Sequence, residues 1–143
     1  MAEVGLLTVS DGRPAVHRDL AAFATEVERQ IATELERAGH TVARGELIWT
    51  NELAVSEARK IADARPALTV INIPVWAFPH FTMRAAQELP GPLPLFSNLD
   101  PQYPGMVGML AAAGALDQIG RTHGREELMT TSVKTSSAER HVA

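Results

Sequence analysis

The feature that most constrains the fold is a fourfold alternation of short apolar runs with stretches of helical periodicity. In the first such stretch, apolar residues between Val16 and Leu35 recur at helical spacing with charges between them. Strands that alternate with helices are typical of a parallel sheet with helices on its faces. We therefore predict an α/β fold, Rossmann-like or flavodoxin-like, with a parallel sheet of about four strands and helices on both faces. The predicted strands are Val4–Ser10, Thr41–Trp49, Ala67–Ile73 and Leu93–Phe96.

The last predicted helix, Gly105–Ile119, differs from the others because almost no polar face remains on it. A helix that is apolar all round is buried on both sides. We therefore expect another domain or subunit to supply its second cover. The earlier helices are predicted from Val16 to a left-handed cap at Gly39, over Leu53–Ala64 after an N-cap at Asn51, and over Thr82–Leu89.

Length and charge restrict the class of protein. The 143 residues fit one domain, which we place at residues 1–124, followed by a loose Ser/Thr-rich tail at 125–143. The net charge is −4 without a cluster of Lys and Arg, so we expect no nucleic-acid partner. No apolar run reaches the roughly 18 residues of a membrane span, and Met1–Glu3 begins no secretory signal. We expect no membrane partner and a cytoplasmic location. Without cysteine, no disulfide or thiolate metal site forms.

The turns that follow the strands are the candidate functional region. Right-handed crossovers bring all strand-to-helix turns to the carboxyl edge of a parallel sheet, where ligands of such folds bind. We call this edge the rim. The leading candidates for ligand contact are Arg13, whose guanidinium carries a fixed fork of donors, and Trp76, whose indole face suits the C–H faces of sugars. Further rim candidates are Asp11, His80, Asn98, Asp100 and Tyr103.

Each candidate also has a structural interpretation, which the sequence leaves open. Arg13 either reaches ligand oxygens or pairs on the surface with an acidic neighbour. Trp76 either contacts a ligand or plugs the end of the sheet, and His80 either acts as a base or ligand or is merely solvated. The polar residues of Asn98–Tyr103 either contact a ligand or cap the turn and the helix behind it.

Nucleotide and metal sites lack their usual patterns in this chain. A dinucleotide fold carries G-x-G-x-x-G after its first strand, whereas the corresponding turn here is SDGRPAVH, with one glycine and a proline. A nucleotide-binding domain is therefore the weakest hypothesis. The candidate metal ligands Asp11, His17, His80 and Asp100 share no H-x-x-x-H or H-x-x-E spacing, so we predict no metal site.

Four segments are more distinctive than the rest of the chain. They are SDGR (Ser10–Arg13), IWTNELAVSEARK (Ile48–Lys60), VWAFPHF (Val75–Phe81) and LFSNLDPQYPGMVGMLAAAGALDQIG (Leu95–Gly120). Together they resemble the N-terminal domain of the L-fucose isomerase family, ketol isomerases related to the L-arabinose isomerases. The resemblance extends over about Val4–Gly120, and its last segment is long and specific.

The resemblance implies a manganese-dependent, oligomeric aldose–ketose isomerase of carbohydrate metabolism. Such enzymes move a proton between C1 and C2 of the sugar through an ene-diol while the metal polarises the sugar oxygens. In the family, the metal-binding Glu, Asp and His come from second and third domains, which have no counterpart here. We therefore expect no catalytic residue and no cofactor in this chain. The resemblance implies that Arg13 and Trp76 contact the sugar at the active site of a neighbouring subunit.

Two hypotheses about function follow. In the first, the chain is a truncated, frameshifted or isolated N-terminal domain that is inactive alone. Its partners are an aldose or ketose sugar and either further copies of itself or the missing C-terminal domains. In the alternative, the chain is a stand-alone, non-catalytic α/β module that binds a sugar or a protein partner.

Overall fold

The computed structural model describes residues 2–98, 105–121 and 123–128, with the backbone alone for Asn98 and 123–128. Strands and helices alternate along these residues. The strands are β1 (Glu3–Thr8), β2 (Thr41–Arg44), β3 (Leu68–Ile73), β4 (Leu93–Asn98) and β5 (His123–Leu128). The helices are α1 (Pro14–Arg37), α2 (Asn51–Asp63), α3 (Pro79–Ala86) and α4 (Met106–Gln118).

All strand pairs are parallel, and the strand order is β2-β1-β3-β4-β5. The chain moves outward from β1 to β2 and then returns to place β3 on the other side of β1. This order is that of the flavodoxin-like doubly wound sheets. The predicted α/β fold with a parallel sheet is confirmed, with one strand more than the four predicted.

Helices cover both faces of the sheet because successive strand residues point to opposite sides. In β1, Leu6 joins a core cluster on the α1 side, whereas Leu7 joins the cluster on the other side. Helix α1 buries an apolar stripe that includes Ile31 and Leu35 against the sheet face that carries Leu6. Helices α2, α3 and α4 pack on the opposite face and share the larger cluster.

Strand β2 is shorter than the predicted Thr41–Trp49. The Glu57 carboxylate accepts the backbone N–H of Glu46 at 2.7 Å, so the chain leaves the sheet after Arg44. Further along, a single β-bridge joins Ile48 to Val9, the residue directly after β1. The predicted N-cap at Asn51 was wrong by one residue: the Thr50 side chain accepts the Leu53 N–H at 3.1 Å.

Helix α3 begins at Pro79, three residues before the predicted start, and ends at Ala86 rather than Leu89. Proline suits the first helical position because its fixed φ is helical and its missing N–H would have no partner there. His80 therefore lies in the first turn of α3, not in a loop as predicted. The left-handed cap predicted at Gly39 is confirmed by its φ of 95°.

The fifth strand was not predicted, because HGREEL lacks the apolar pattern of the other strands. It pairs in parallel with β4, with Leu93 opposite His123 at one end of the pair and Asn98 opposite Leu128 at the other. Charged residues are common on strands at the end of a sheet, where pairing with another chain must be avoided. The tail boundary at residue 125 was therefore placed inside a strand, and residues 129–143 lie outside the described residues.

Candidate functional site

The candidate site lies where the order of the strands reverses, between β1 and β3. The loop after β1 leads to α1 on one face of the sheet, and the loop after β3 leads to α3 on the other. Since the two strands are neighbours, their loops start from adjacent points on the rim and contact each other through Arg13 and Trp76. Ligands of doubly wound folds bind where the strand order reverses in this way.

Asp11 and Arg13 form a compact ion pair in the loop after β1. Asp11 is buried, and its carboxylate accepts the backbone N–H of Arg13 at 2.9 Å, which closes a tight turn before Pro14 opens α1. The Arg13 Nε and Nη2 atoms also donate to this carboxylate, at 2.9 and 2.5 Å. These hydrogen bonds hold the pKa of Asp11 below its ordinary value of 3.8. The carboxylate therefore fixes the guanidinium and neutralises its charge.

The Arg13 guanidinium lies over the ring of Trp76, with Cζ 5.5 Å from the ring centroid. A cation at this distance from an indole face is attracted by the ring quadrupole. Trp76 is 36% exposed, so the indole does not plug the interior of the domain. The Arg13 side chain is 61% exposed. The two loops thus present a guanidinium and an indole together at the rim.

Gly12 allows the two loops to approach each other. A Cβ atom on this residue would lie 2.6 Å from two ring carbons of Phe78 and 2.8 Å from the ring of Phe81. Real Cβ contacts are never this short, so no other residue fits at position 12 without displacing an aromatic ring.

Aromatic rings extend the site from Trp76 toward α3. The Phe78 ring meets Trp76 edge-to-face at 4.9 Å and stacks on His80 at 5.3 Å. His80 Nδ1 lies 2.8 Å from Asn51 Oδ1, which ties this row to the start of α2. His80 also meets the Phe81 ring edge-to-face at 4.7 Å, so three side chains hold it in place beside the Arg13–Trp76 pair.

A second polar cluster lies on the other side of the Asp11 turn. His17 Nδ1 is 2.9 Å from Ser10 Oγ, and the His17 ring stacks on Trp49 with centroids 4.5 Å apart. Burial lowers the pKa of His17 below 6.5, although the charge of Asp11 opposes this shift. The stacked pair lines an open groove of about 380 Å³ together with Glu28 and Leu53.

The structure brings Asp11, Arg13 and Trp76 into one contact group and places His80 two rings away. For Asn98 it describes only the backbone, at the end of β4. Asp100 and Tyr103 lie outside the described residues. The roles of these residues in ligand contact stay predictions.

Sequence reasoning missed Gly12, Phe78 and Trp49, and it considered His17 only as a metal ligand. The glycine carried a signal, because glycine is the usual residue in a turn where another group must approach the backbone closely. No sequence signal indicated the contact between His17 and Trp49, because this contact depends on how the connection between β2 and α2 folds back onto α1.

The described side chains do not fit a manganese site. No group of three or more His, Asp and Glu residues among them could hold a metal ion. At the rim, both oxygens of Asp11 are already engaged by Arg13. No step of a reaction is therefore assigned to a metal held by these residues.

The fold is that of a doubly wound α/β domain, with the Arg13–Trp76 pair at its switch point. The family model described as L-fucose isomerase, first N-terminal domain, matches residues 1–127. The chain therefore belongs to this family, as its sequence motifs indicated. Comparison with curated proteins finds no match. Among the helices of the described residues, none has both the length and the apolar character that crossing a bilayer requires. The cytoplasmic location stays a prediction.

Proposed function

We propose that the Arg13–Trp76 pair binds an aldose or ketose sugar and forms the substrate-contacting rim of an aldose–ketose isomerase. The observation that carries the proposal is the guanidinium held over a partly exposed indole at the switch point. An indole face packs against the C–H face of a sugar ring, and a guanidinium donates to its oxygens. Membership of the L-fucose isomerase N-terminal family supports sugar as the ligand.

The charge of the site favours a neutral sugar over a sugar phosphate. Asp11 uses the Nε and Nη2 atoms of Arg13, so the pair carries no net charge. Nη1 is the guanidinium nitrogen that Asp11 does not use, and in the proposal it donates to a sugar hydroxyl or carbonyl oxygen. Because Asp11 already fixes the guanidinium, little side-chain freedom remains to be lost on binding.

In this proposal the chain orients the sugar and shields one side of it from water. The proton transfer between C1 and C2, and the manganese ion expected for the family, belong to polypeptide outside the matched domain. The rim then completes an active site formed with a second polypeptide, either a neighbouring subunit or further domains. Carbohydrate metabolism is the proposed context.

A binding experiment tests the sugar-contacting role. The chain has two tryptophans, so Trp49→Phe leaves Trp76 as the only one and turns its emission into a report from the rim. We expect saturable changes in this emission with L-fucose or L-arabinose. By calorimetry, Trp76→Ala should weaken the affinity about tenfold or more, whereas Trp49→Phe should keep it. Equal affinities of the two variants, or tighter binding of an aldose phosphate than of the free sugar, would contradict the proposal.

A complementation experiment tests the isomerase role. The purified chain with manganese should not convert L-fucose or L-arabinose. Turnover by the chain alone would contradict the proposal that catalysis requires a second polypeptide. We expect turnover when the chain is mixed with a family member that lacks its first N-terminal domain, and less turnover with Trp76→Ala. Sugar binding without restored turnover would instead favour the non-catalytic module.

A further inference from the structure

The segment Ser10–Arg13, which we call the rim turn, is joined at both of its ends to one residue, His17. At the start of the turn, the Ser10 hydroxyl oxygen lies 2.9 Å from His17 Nδ1. At its end, the Arg13 carbonyl oxygen accepts the backbone N–H of His17 at 2.9 Å. The residues between these two hydrogen bonds include the carboxylate that holds the Arg13 guanidinium. His17 therefore closes the rim turn.

The burial of Ser10 decides which atom donates in the first of these hydrogen bonds. Ser10 is fully buried, and among the described residues its hydroxyl has His17 Nδ1 as its one hydrogen-bond partner. If Nδ1 carried the proton, the serine hydrogen would lie inside the protein without an acceptor, which is costly. The serine hydroxyl therefore donates, Nδ1 accepts, and the neutral imidazole carries its proton on Nε2.

The imidazole is held in the orientation that this hydrogen bond requires. Its ring stacks on Trp49, with centroids 4.5 Å apart and an angle of 9° between the planes. Trp49 directly follows Ile48, whose carbonyl oxygen accepts the Ser10 backbone N–H at 2.8 Å. The connection between β2 and α2 thus anchors both partners of the hydrogen bond. Because the ring cannot rotate without losing the stack, Nδ1 stays in place for the serine hydroxyl.

The composition of the rim turn explains why such a constraint matters. Gly12 has no Cβ atom, so the chain at this position loses more conformational freedom on folding than at any other residue type. The Arg13 side chain is 61% exposed, so packing restricts it little. Its guanidinium is oriented by Asp11, which directly follows Ser10 in the chain. The side chain that fixes Ser10 therefore also limits the movement of the carboxylate and of the guanidinium.

We propose that His17 is a positioning residue for sugar binding at the rim: its neutral imidazole closes the rim turn and keeps the Asp11 carboxylate and the Arg13 guanidinium in the geometry that contacts the sugar. The inference rests on the proposed sugar-contacting role of Arg13. Protonation of the imidazole removes the acceptor for Ser10. It also places a second cation near Asp11, where it competes with Arg13 for the carboxylate.

The charges around the imidazole fix the direction of the pH dependence. The charged residues of the rim turn and of the groove beside the ring are Asp11, Arg13, Glu28, Arg44 and Glu46. Glu28 is paired with Arg44, and Glu46 is exposed to solvent. Burial lowers the pKa of His17 below 6.5 against the opposing charge of Asp11. Sugar affinity should therefore be constant above 6.5 and fall as the pH drops through the pKa of His17. Asp11 stays ionised in this range, because its own pKa lies below 3.8.

The test compares His17→Asn with His17→Leu, two side chains of almost the same shape. The asparagine oxygen reaches the position of Nδ1 and accepts from Ser10, whereas leucine has no acceptor. By calorimetry at neutral pH, His17→Asn should bind L-fucose or L-arabinose about threefold or more tightly than His17→Leu. The affinity of the wild type should fall by a similar factor at a pH well below the pKa of His17, and that of His17→Asn should not. The control is His40→Asn, directly before β2 at the opposite edge of the sheet, which should keep the wild-type affinity and pH dependence.

A second readout does not depend on the sugar. The NMR resonance of the Arg13 Nε–H group should shift with pH at the midpoint of the His17 ring titration, and His17→Asn should abolish this shift. Equal affinities of the two His17 variants, a fall in affinity that persists in His17→Asn, or an Arg13 resonance that does not follow the His17 titration would overturn the inference while the rim still binds sugar. If no sugar binds to any variant, the proposed function fails, and the Arg13 resonance alone decides whether His17 holds the guanidinium.

Discussion

Gly12 and Phe78 lie in such close contact that a single methyl group at position 12 would come within 2.6 Å of the Phe78 ring. The same ring meets Trp76 edge-to-face. Gly12→Ala must therefore displace the ring that supports the indole. We expect a loss of about 1–3 kcal/mol in the free energy of unfolding, together with weaker sugar binding. Urea denaturation and calorimetry measure the two effects.

The matched control is the same substitution at Gly114, where a methyl group meets open space. Because alanine is the better helix former, Gly114→Ala should raise the free energy of unfolding by about 0.5–1 kcal/mol. Equal effects of the two substitutions would show that backbone flexibility, and not the contact with Phe78, determines the cost at position 12.

The alternation of strands and helices was predictable because burial imposes a simple pattern on each element. Continuous apolar runs such as Leu68–Ile73 are buried on both faces, and the stripe of α1 repeats with helical spacing. The elements that were misplaced depend on contacts distant in sequence. Strand β2 ends early because Glu57 binds the chain after it, and the polar β5 is recruited by pairing with β4.

At the site, topology was more informative than the residues themselves. The rule that crossovers are right-handed placed the loops of Arg13 and Trp76 on one edge before any side chain was considered. It could not show that Asp11 would bind three donors of Arg13, or that Phe78 would lie against Gly12. Those contacts depend on how side chains of different loops pack, and loop packing leaves no periodic pattern in the sequence.

Asp11→Asn should lower stability in a way that depends on pH. The hydrogen bonds from Arg13 hold the pKa of Asp11 below 3.8, so the ionised form stabilises the fold. This contribution is complete above 3.8 and disappears as the pH falls through the lower pKa of the folded state. At neutral pH we expect a loss of about 1 kcal/mol, modest because the Arg13 side chain is largely exposed. Urea denaturation between neutral and strongly acidic pH gives the comparison.

Wild type and Asp11→Asn should become equally stable once the pH is well below the lowered pKa. The variant must also retain the Arg13 N–H bond, since an asparagine oxygen still accepts it. A stability difference that stays constant down to the most acidic pH would mean that the carboxylate charge makes no contribution.

Protonation of His17 should make the free energy of unfolding depend on pH in a higher pH range than protonation of Asp11 does. Burial lowers its pKa below 6.5, so the folded state favours the neutral imidazole. Its contribution to stability is therefore present above 6.5 and is lost as the pH falls through the lower pKa of the folded state. We expect the NMR titration of the His17 ring to have its midpoint below 6.5. His17→Gln should flatten the pH dependence of unfolding in this window, and an unchanged slope would contradict the assignment.

Thr8→Val should be more costly than its nearly equal size suggests. The buried Thr8 hydroxyl donates to Glu28 Oε1 at 2.7 Å and accepts from Asn72 Nδ2 at 3.1 Å, so valine leaves a carboxylate oxygen and an amide unpaired inside the protein. Among the described residues, Glu28 then keeps Arg44 alone, whose Nη2 lies 2.9 Å from Oε2. We expect a loss of about 2–3 kcal/mol in the free energy of unfolding, measured by urea denaturation at neutral pH. The control is Thr33→Val, at a half-buried position where the exposed hydroxyl donates to the Arg29 carbonyl, and its cost should stay within about 0.5 kcal/mol. If Thr8→Val costs no more than this control, the buried chain from Asn72 through Thr8 to Glu28 does not stabilise the junction between α1 and the sheet.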